Sequence, residues 1–334
     1  MRPLAGNRAT ALSRFAFGRS AASPSPWLMR AVALAYVAVA AQCNGWHYLF
    51  FPGLAALSHD VLTRPWGKWA SQPGRLVVTP VLGAAIGTLI TAMFPYGVLS
   101  VLLVVALCVL LVGALKSNIA PAIAAGVLPL FLGIKTWVYP ASIAVSLVVL
   151  VVILLPWRRR CRPAYPDLDD VLEARPSGSS WLVPFFAFVA AMALCAATSG
   201  LRLILFPPLI VIAYEMFAHP TVCPWAGKPM ALPAACLLTS TAGCVAVALF
   251  GTGAIAAACA MALGVIVLRL LRLHMPPALA VGLLPLVIRS PDFTYPLSVA
   301  IGTGALTLAF QLYHRRVTRQ GRAGLNMTDN LRSA

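Results

Sequence analysis

An all-α polytopic integral membrane protein, built as two parallel repeats of about six transmembrane or re-entrant helices each, is the fold that this sequence predicts. Three observations lead there. The chain of 334 residues is 60% hydrophobic and only 10% charged, against about a quarter charged in soluble domains; its mean hydropathy is +0.88. The chain also resembles itself at an offset of 155 to 156 residues: Phe51-Pro52 falls on Phe206-Pro207, Asp60 on Glu215, Gly87 on Gly243, and Phe94 and Gly97 on Phe250 and Gly253. Residues 118–142 fall on 274–298 without a gap, and 10 of those 25 positions are identical, among them Pro121/Pro277, Gly126/Gly282, Pro129/Pro285 and Tyr139/Tyr295. Thirdly, the basic residues cluster at the flanks of the apolar runs, as Lys and Arg do on the cytoplasmic side of a bilayer.

Twelve apolar segments follow in order. The first repeat carries 27–44, 48–62, 76–93, 98–115, 119–134 and 137–155; the second carries 181–199, 203–218, 230–249, 252–271, 275–288 and 293–312. With the basic N-terminus inside, the cations Arg64, Lys68 and Arg75, then Lys116, then Arg158, Arg159 and Arg160 all fall inside. Lys228, then Arg269 and Arg272, then Arg315 and Arg316 do so in the second repeat, with Lys135, Arg202 and Arg289 as lone exceptions. An even number of crossings per repeat gives parallel repeats related by an axis along the membrane normal. The fifth segments are short for a span of about 20 residues and contain Pro121 with Pro129, and Pro276 and Pro277 with Pro285. They are candidates for broken or re-entrant helices, and spanning and dipping both remain open. The domains expected are a basic cytoplasmic tail (1–26), the first repeat (27–157), a polar linker (158–180) with a short acidic helix at 167–175, the second repeat (181–314) and a basic cytoplasmic tail (315–334).

A net charge of +17 invites a nucleic-acid reading, but its placement at span flanks points to anionic lipid headgroups instead, and no nucleic-acid partner is expected. Of the 8 cysteines none forms a C-x-x-C; most sit in apolar runs, where free Cys behaves as a small hydrophobe. No disulfide, metal, cofactor or catalytic residue is expected, and the absence of a metalloprotease or paired-aspartate motif leaves little for an enzyme. The acid-free stretch 1–26 reads as a positive-inside tail or an organellar transit peptide. The former fits a bacterial inner-membrane protein with both termini in the cytoplasm.

Chemistry is expected at two places. Asp60 and Glu215 occupy equivalent positions near the cytoplasmic ends of the second segments, and an ionisable group there is a candidate for proton coupling; interfacial pairing of Asp60 with Arg64 and Lys68 is the structural alternative. The other place precedes the fifth segments. Lys116 aligns with Arg272 and Asn118 with His274, each pair ahead of a proline-started helix, with Pro276 and Pro277 opening the second. A cation beside a helix N-terminus makes an anion site, although positive-inside anchoring alone would also place Lys or Arg there. These six residues are the candidate substrate-binding set. Trp66 and Trp225 read as interface anchors on Pro/Gly turns.

Residues 206–312 resemble the HPP transmembrane family, named for a His-Pro-Pro motif. The resemblance rests on Phe206-Pro207-Pro208, on the Pro/Gly-rich loop 219–229 and on Arg272-Leu273-His274-Met275-Pro276-Pro277-Ala278 ahead of a Gly-containing apolar run. Met275 interrupts the signature, and the first repeat has Asn118-Ile119-Ala120-Pro121 in its place. Some family members are linked to nitrite transport in plastids and cyanobacteria, so the resemblance implies small-anion transport. Its single-copy members imply dimerisation before fusion, and a homo-oligomer of this chain stays open. The functional expectation is a transporter or channel for a small, anionic solute with its site between the repeats; the alternative is a membrane scaffold that docks a partner through basic loops.

Overall fold

The computed structural model describes residues 26–43, 49–161, 178–220, 228–288 and 292–332, with side chains to residue 316 at the C-terminal end. The tail before residue 26, the acidic stretch 167–175 and Trp225 lie outside the described residues. Among the described residues all regular structure is helical. The first half contains α1 (Pro26–Gln42), α2 (Pro52–Thr63), α3 (Pro73–Met93), α4 (Val98–Ala114), α5 (Pro121–Leu132) and α6 (Val138–Arg160). The second half contains α7 (Leu182–Ser199), a 3₁₀ turn (Arg202–Leu205), α8 (Pro207–Ala218), α9 (Ala231–Phe250), α10 (Ala254–Leu270), α11 (Pro276–Leu283) with a 3₁₀ extension (Leu284–Leu286), and α12 (Thr294–Arg332). Among the described residues, four of the six helix-opening prolines, Pro52, Pro121, Pro207 and Pro276, start the short helices α2, α5, α8 and α11. Proline suits a first turn, where its missing N–H has no intrahelical partner to lose.

Among the described residues, five helices are long and apolar enough to cross a bilayer: Pro73–Met93, Val138–Arg160, Leu182–Ser199, Ala231–Phe250 and Thr294–Arg316. Their outward faces are apolar, for example Leu82 and Leu89 on α3, Val148 and Val152 on α6, and Leu297 and Leu308 on α12, all exposed. A soluble surface carries no such continuous belt. α12 continues as one helix well past the basic cluster Arg315-Arg316, whereas the sequence places a tail there, because the pattern of apolar residues ends at about 312 while the backbone hydrogen bonding does not.

The four short helices form the centre. α2, α5 and α8 have 12 residues each and α11 has 8, so they are about 18 Å and 12 Å long at 1.5 Å per residue. All 12 residues of α8 and all 8 of α11 are buried. The halves interlock through these elements: α2 packs on α11 and α1 on α10, while α8 packs on α5 and α7 on α4. Gln42 Oε1 at the end of α1 accepts from the N–H of Ala254 at the start of α10 (3.1 Å), a side-chain cap supplied by the other half.

Two pairs of residues matched at the 156-residue offset show why this centre needs its particular sequence. Pro129 has no N–H for the carbonyl of Ala125, four residues earlier in α5, and the Tyr139 hydroxyl of α6 donates to that carbonyl instead (2.9 Å). Pro285 likewise offers no N–H to the carbonyl of Val281, which accepts instead from the Leu284 N–H at the start of the 3₁₀ extension and from the Tyr295 hydroxyl of α12 (2.8 Å). Both tyrosines are fully buried. The glycines are matched too: a Cβ on Gly87 of α3 would run into the carbonyl of Gly126 of α5, and a Cβ on Gly243 of α9 into that of Gly282 of α11. Small residues at such crossings let helix backbones approach closely.

Two outcomes follow. Tyr139→Phe should destabilise the folded protein by about 1–3 kcal/mol, the cost of an unsatisfied buried carbonyl, read as a lower thermal midpoint in detergent, and Tyr295→Phe should cost less, because the Leu284 N–H still donates to the Val281 carbonyl. Gly87→Leu and Gly243→Leu should give aggregated protein on size exclusion, whereas Gly113→Leu, where a Cβ meets nothing within 4 Å, should stay monodisperse.

Candidate functional site

Asp60 and Glu215 stand one turn from the C-terminal ends of α2 and α8, both buried, with Asp60 fully so. A carboxylate there requires partners, because desolvation otherwise disfavours its charge. Asp60 finds two on one oxygen. Arg64 Nη1, one helical turn on, donates to Oδ1 at 3.0 Å. His274 Nε2, arriving from the other half just ahead of α11, lies 3.2 Å from the same oxygen, and with its proton on Nε2 it donates there. The second oxygen, Oδ2, is buried and has no partner among the described residues. Glu215 lies within electrostatic reach of Asp60 and makes no side-chain hydrogen bond among the described residues. His59 feels both Asp60 and His274. The two candidate proton carriers and the candidate His274 therefore share one ionisable cluster where the halves meet.

The cluster borders a cleft of about 180 Å³ lined by Arg30, His59, Arg269, His274 and Pro276 with apolar neighbours. A second recess of about 390 Å³ lies at the other ends of the short helices, lined by Leu128 and Leu132 of α5, Pro207 of α8, and Leu284 and Ile288 beyond α11, with Arg202 its single charge. Arg202 stacks over the Tyr96 ring at 4.9 Å, which fixes the guanidinium at the rim. Pro276 faces the first recess and Leu284 the second, so 8 residues of helix, about 12 Å, separate them.

Lys116 and Arg272 occupy a different kind of position from the one their alignment implies. Both are exposed and left-handed, at φ 50° and 51°. Lys116 N–H donates to the Gly113 carbonyl and Ser117 N–H to that of Val112; Arg272 and Leu273 repeat the pattern onto Arg269 and Leu268. This is a Schellman cap closing α4 and α10, with the capping residue in the αL conformation usually taken by Gly. A cation at that place also offsets the helix dipole. Asn118 is half-buried and follows the first cap. The N-terminus of α11 offers few donors to a ligand: Pro276 and Pro277 have no N–H, and the Ala278 N–H bonds to the Met275 carbonyl (3.0 Å).

Sequence reasoning counted Arg269 only among the flanking cations and passed over Arg30 and Trp27. The Arg30 and Arg269 guanidinium carbons lie 5.9 and 4.5 Å from the Trp27 ring centre, so one indole holds two cations from different halves at the cleft. Nothing in a single sequence couples residues 27 and 269; only the interlocked packing does. Trp66 lies against the end of α6, with Arg158 over its ring at 4.4 Å and its Nε1–H donated to the Cys161 carbonyl at 3.1 Å, so it anchors a loop to a helix end. No three His, Cys, Asp or Glu side chains among the described residues converge to hold a metal ion.

Compared with known protein families, curated proteins and solved structures, the chain matches none.

Breaking a buried ion pair from one side leaves an uncompensated charge and typically costs about 3–5 kcal/mol. Arg64→Gln should therefore lower the thermal midpoint markedly, and adding Asp60→Asn to it should restore most of the loss. Equal destabilisation by the single and double variants would show that the Asp60 charge is not what Arg64 holds.

Proposed function

We propose that this chain is a membrane transporter or channel for a small solute, an inorganic anion such as nitrite, with its path at the interface of two parallel six-helix repeats. One observation carries the reading: two recesses meet end to end across a buried septum only about 12 Å thick, less than half the hydrocarbon thickness of about 30 Å. Short helices broken by proline at the midplane, with ionisable side chains at their ends, are a transporter plan. The matched pairs Pro129/Tyr139 and Pro285/Tyr295 support the repeats. The even placement of cations supports parallel repeats in a cytoplasmic membrane, with both termini on the cytoplasmic side.

In this reading the anion is gathered on the basic side by exposed cations, Lys116 and Arg272 among them, which raise its local concentration. It then meets Asn118, His274, Pro276 and Pro277 at the septum. The open Oδ2 of Asp60 and the nearby Glu215 carry a coupled proton, which moves with the anion and limits the charge crossing the apolar septum. The resemblance of residues 206–312 to the HPP family, carried by the proline-rich approach to α11, accords with this reading.

Anion flux into proteoliposomes tests it. Wild-type protein loaded with a pH-sensitive dye should show flux for one of nitrite, nitrate, formate or chloride above that of empty liposomes. Leu128→Trp/Leu284→Trp, which fills the second recess, should cut that flux by about tenfold or more, equivalent to about 1.4 kcal/mol on the barrier. Folded wild-type protein without flux for any of the four would overturn the small-anion reading and leave the docking scaffold.

A further inference from the structure

The cleft beside His59 and His274 has an unusual lining. Its charged side chains are Arg30 and Arg269, and no carboxylate lines it. Neither arginine makes an ion pair or hydrogen bond among the described residues, yet both are held against Trp27. A guanidinium presents a planar fork of donors that matches an oxyanion, and cation–π contact with the Trp27 ring holds both arginines at the cleft. His59 adds a third group. Both its ring nitrogens are buried with no hydrogen-bond partner among the described residues, a costly state unless a ligand or water completes them. The nearest carboxylate, Asp60, is already engaged by Arg64 and His274, so the field in the cleft stays positive. A volume of about 180 Å³ equals several waters at about 30 Å³ each, room for a small oxyanion.

The other half offers a built-in contrast. At the offset positions stand Tyr214 for His59, Gly113 for Arg269 and Asn118 for His274. Tyr214 there packs edge-on against Trp181, with centroids 5.2 Å apart, and near Phe185 at 6.2 Å. Aromatic packing takes the place of these ionisable groups, so among the described residues the equivalent place in the other half lacks this lining.

We infer that this cleft is a binding site for a phosphate-like oxyanion, held by the guanidinium groups of Arg30 and Arg269 and completed by a hydrogen bond from His59. The ligand is a free anion or the phosphate of an anionic lipid headgroup, which share this chemistry. The inference deepens the anion reading above and rests on it only for the ligand's onward passage.

The full chain in a maltoside detergent, which contains no phosphate, is titrated calorimetrically with inorganic phosphate. Wild type should bind saturably, and Arg30→Ala/Arg269→Ala should bind about tenfold more weakly or worse, as expected from losing two charge-assisted contacts. His59→Phe, which keeps the ring shape and resembles the aromatic packing of the other half, should also weaken binding, while Lys135→Ala, an exposed cation beyond the far end of α5, should leave it unchanged. Phosphatidylglycerol added to the micelles distinguishes the sources: competition with phosphate identifies the headgroup as occupant, and its absence identifies the free anion. Wild type that binds neither phosphate nor phosphatidylglycerol overturns the site, as does a double variant of normal elution volume that binds like wild type. Binding without flux would sink the transport reading and leave the site standing. Flux that survives in the double variant after binding is lost would leave the site standing and overturn only the onward passage of its ligand.

Discussion

A backbone carbonyl stripped of its N–H partner cannot be left bare where no water reaches it, and this constraint organises the centre of the molecule. Pro129 and Pro285 each remove one hydrogen bond from a buried helix. The hydroxyls of Tyr139 and Tyr295, on the helices that follow, donate to the carbonyls so affected, Tyr295 sharing the Val281 oxygen with the Leu284 N–H. The repair ties α5 to α6 and α11 to α12, which allows the two central helices to stop short. Close glycine crossings at Gly87 with Gly126 and at Gly243 with Gly282 then draw α3 and α9 against the shortened elements. The short helices leave a recess at each of their ends, and the septum between the recesses is the product of that arrangement.

Interlocking of the halves places charge on this septum. α2 brings Asp60 with Arg64, and the chain ahead of α11 brings His274 from the other half. Each partner would be costly to bury alone; together they form a cluster that sits beside one recess and apart from the other. The cations of the cleft are held differently, on an indole instead of a carboxylate, which leaves their donors open to a ligand.

Much of this was legible in the sequence, and the legible part has a common cause. Tyr139 and Tyr295, Pro129 and Pro285, and Gly87 and Gly243 stood out because residues of these types recur at one offset in a chain where Leu and Ala matches mean little. Asp60 and Glu215 stood out because acids are rare. The short lengths of α5 and α11 followed from their prolines. The pairing of Lys116 with Arg272 was also visible, yet its geometric basis, an αL cap on α4 and α10, was not, since Lys and Arg are uncommon in that conformation and positive flanks explain them equally well. The grouping of Arg30, Trp27 and Arg269 was hidden because no local pattern joins residues about 240 positions apart. The partnership of Asp60 with His274 was hidden for the same reason: each was singled out, but contact between them depends on how the halves cross.

The central claim is the thin septum with recesses facing opposite sides of a bilayer. Its most direct test is labelling of single cysteines at His274 and at Leu284, in a background with the eight native cysteines replaced, by a membrane-impermeant maleimide in sealed vesicles of known orientation. The account predicts that the two positions label from opposite sides. Labelling of both from the same side, or of neither in folded protein, would contradict it.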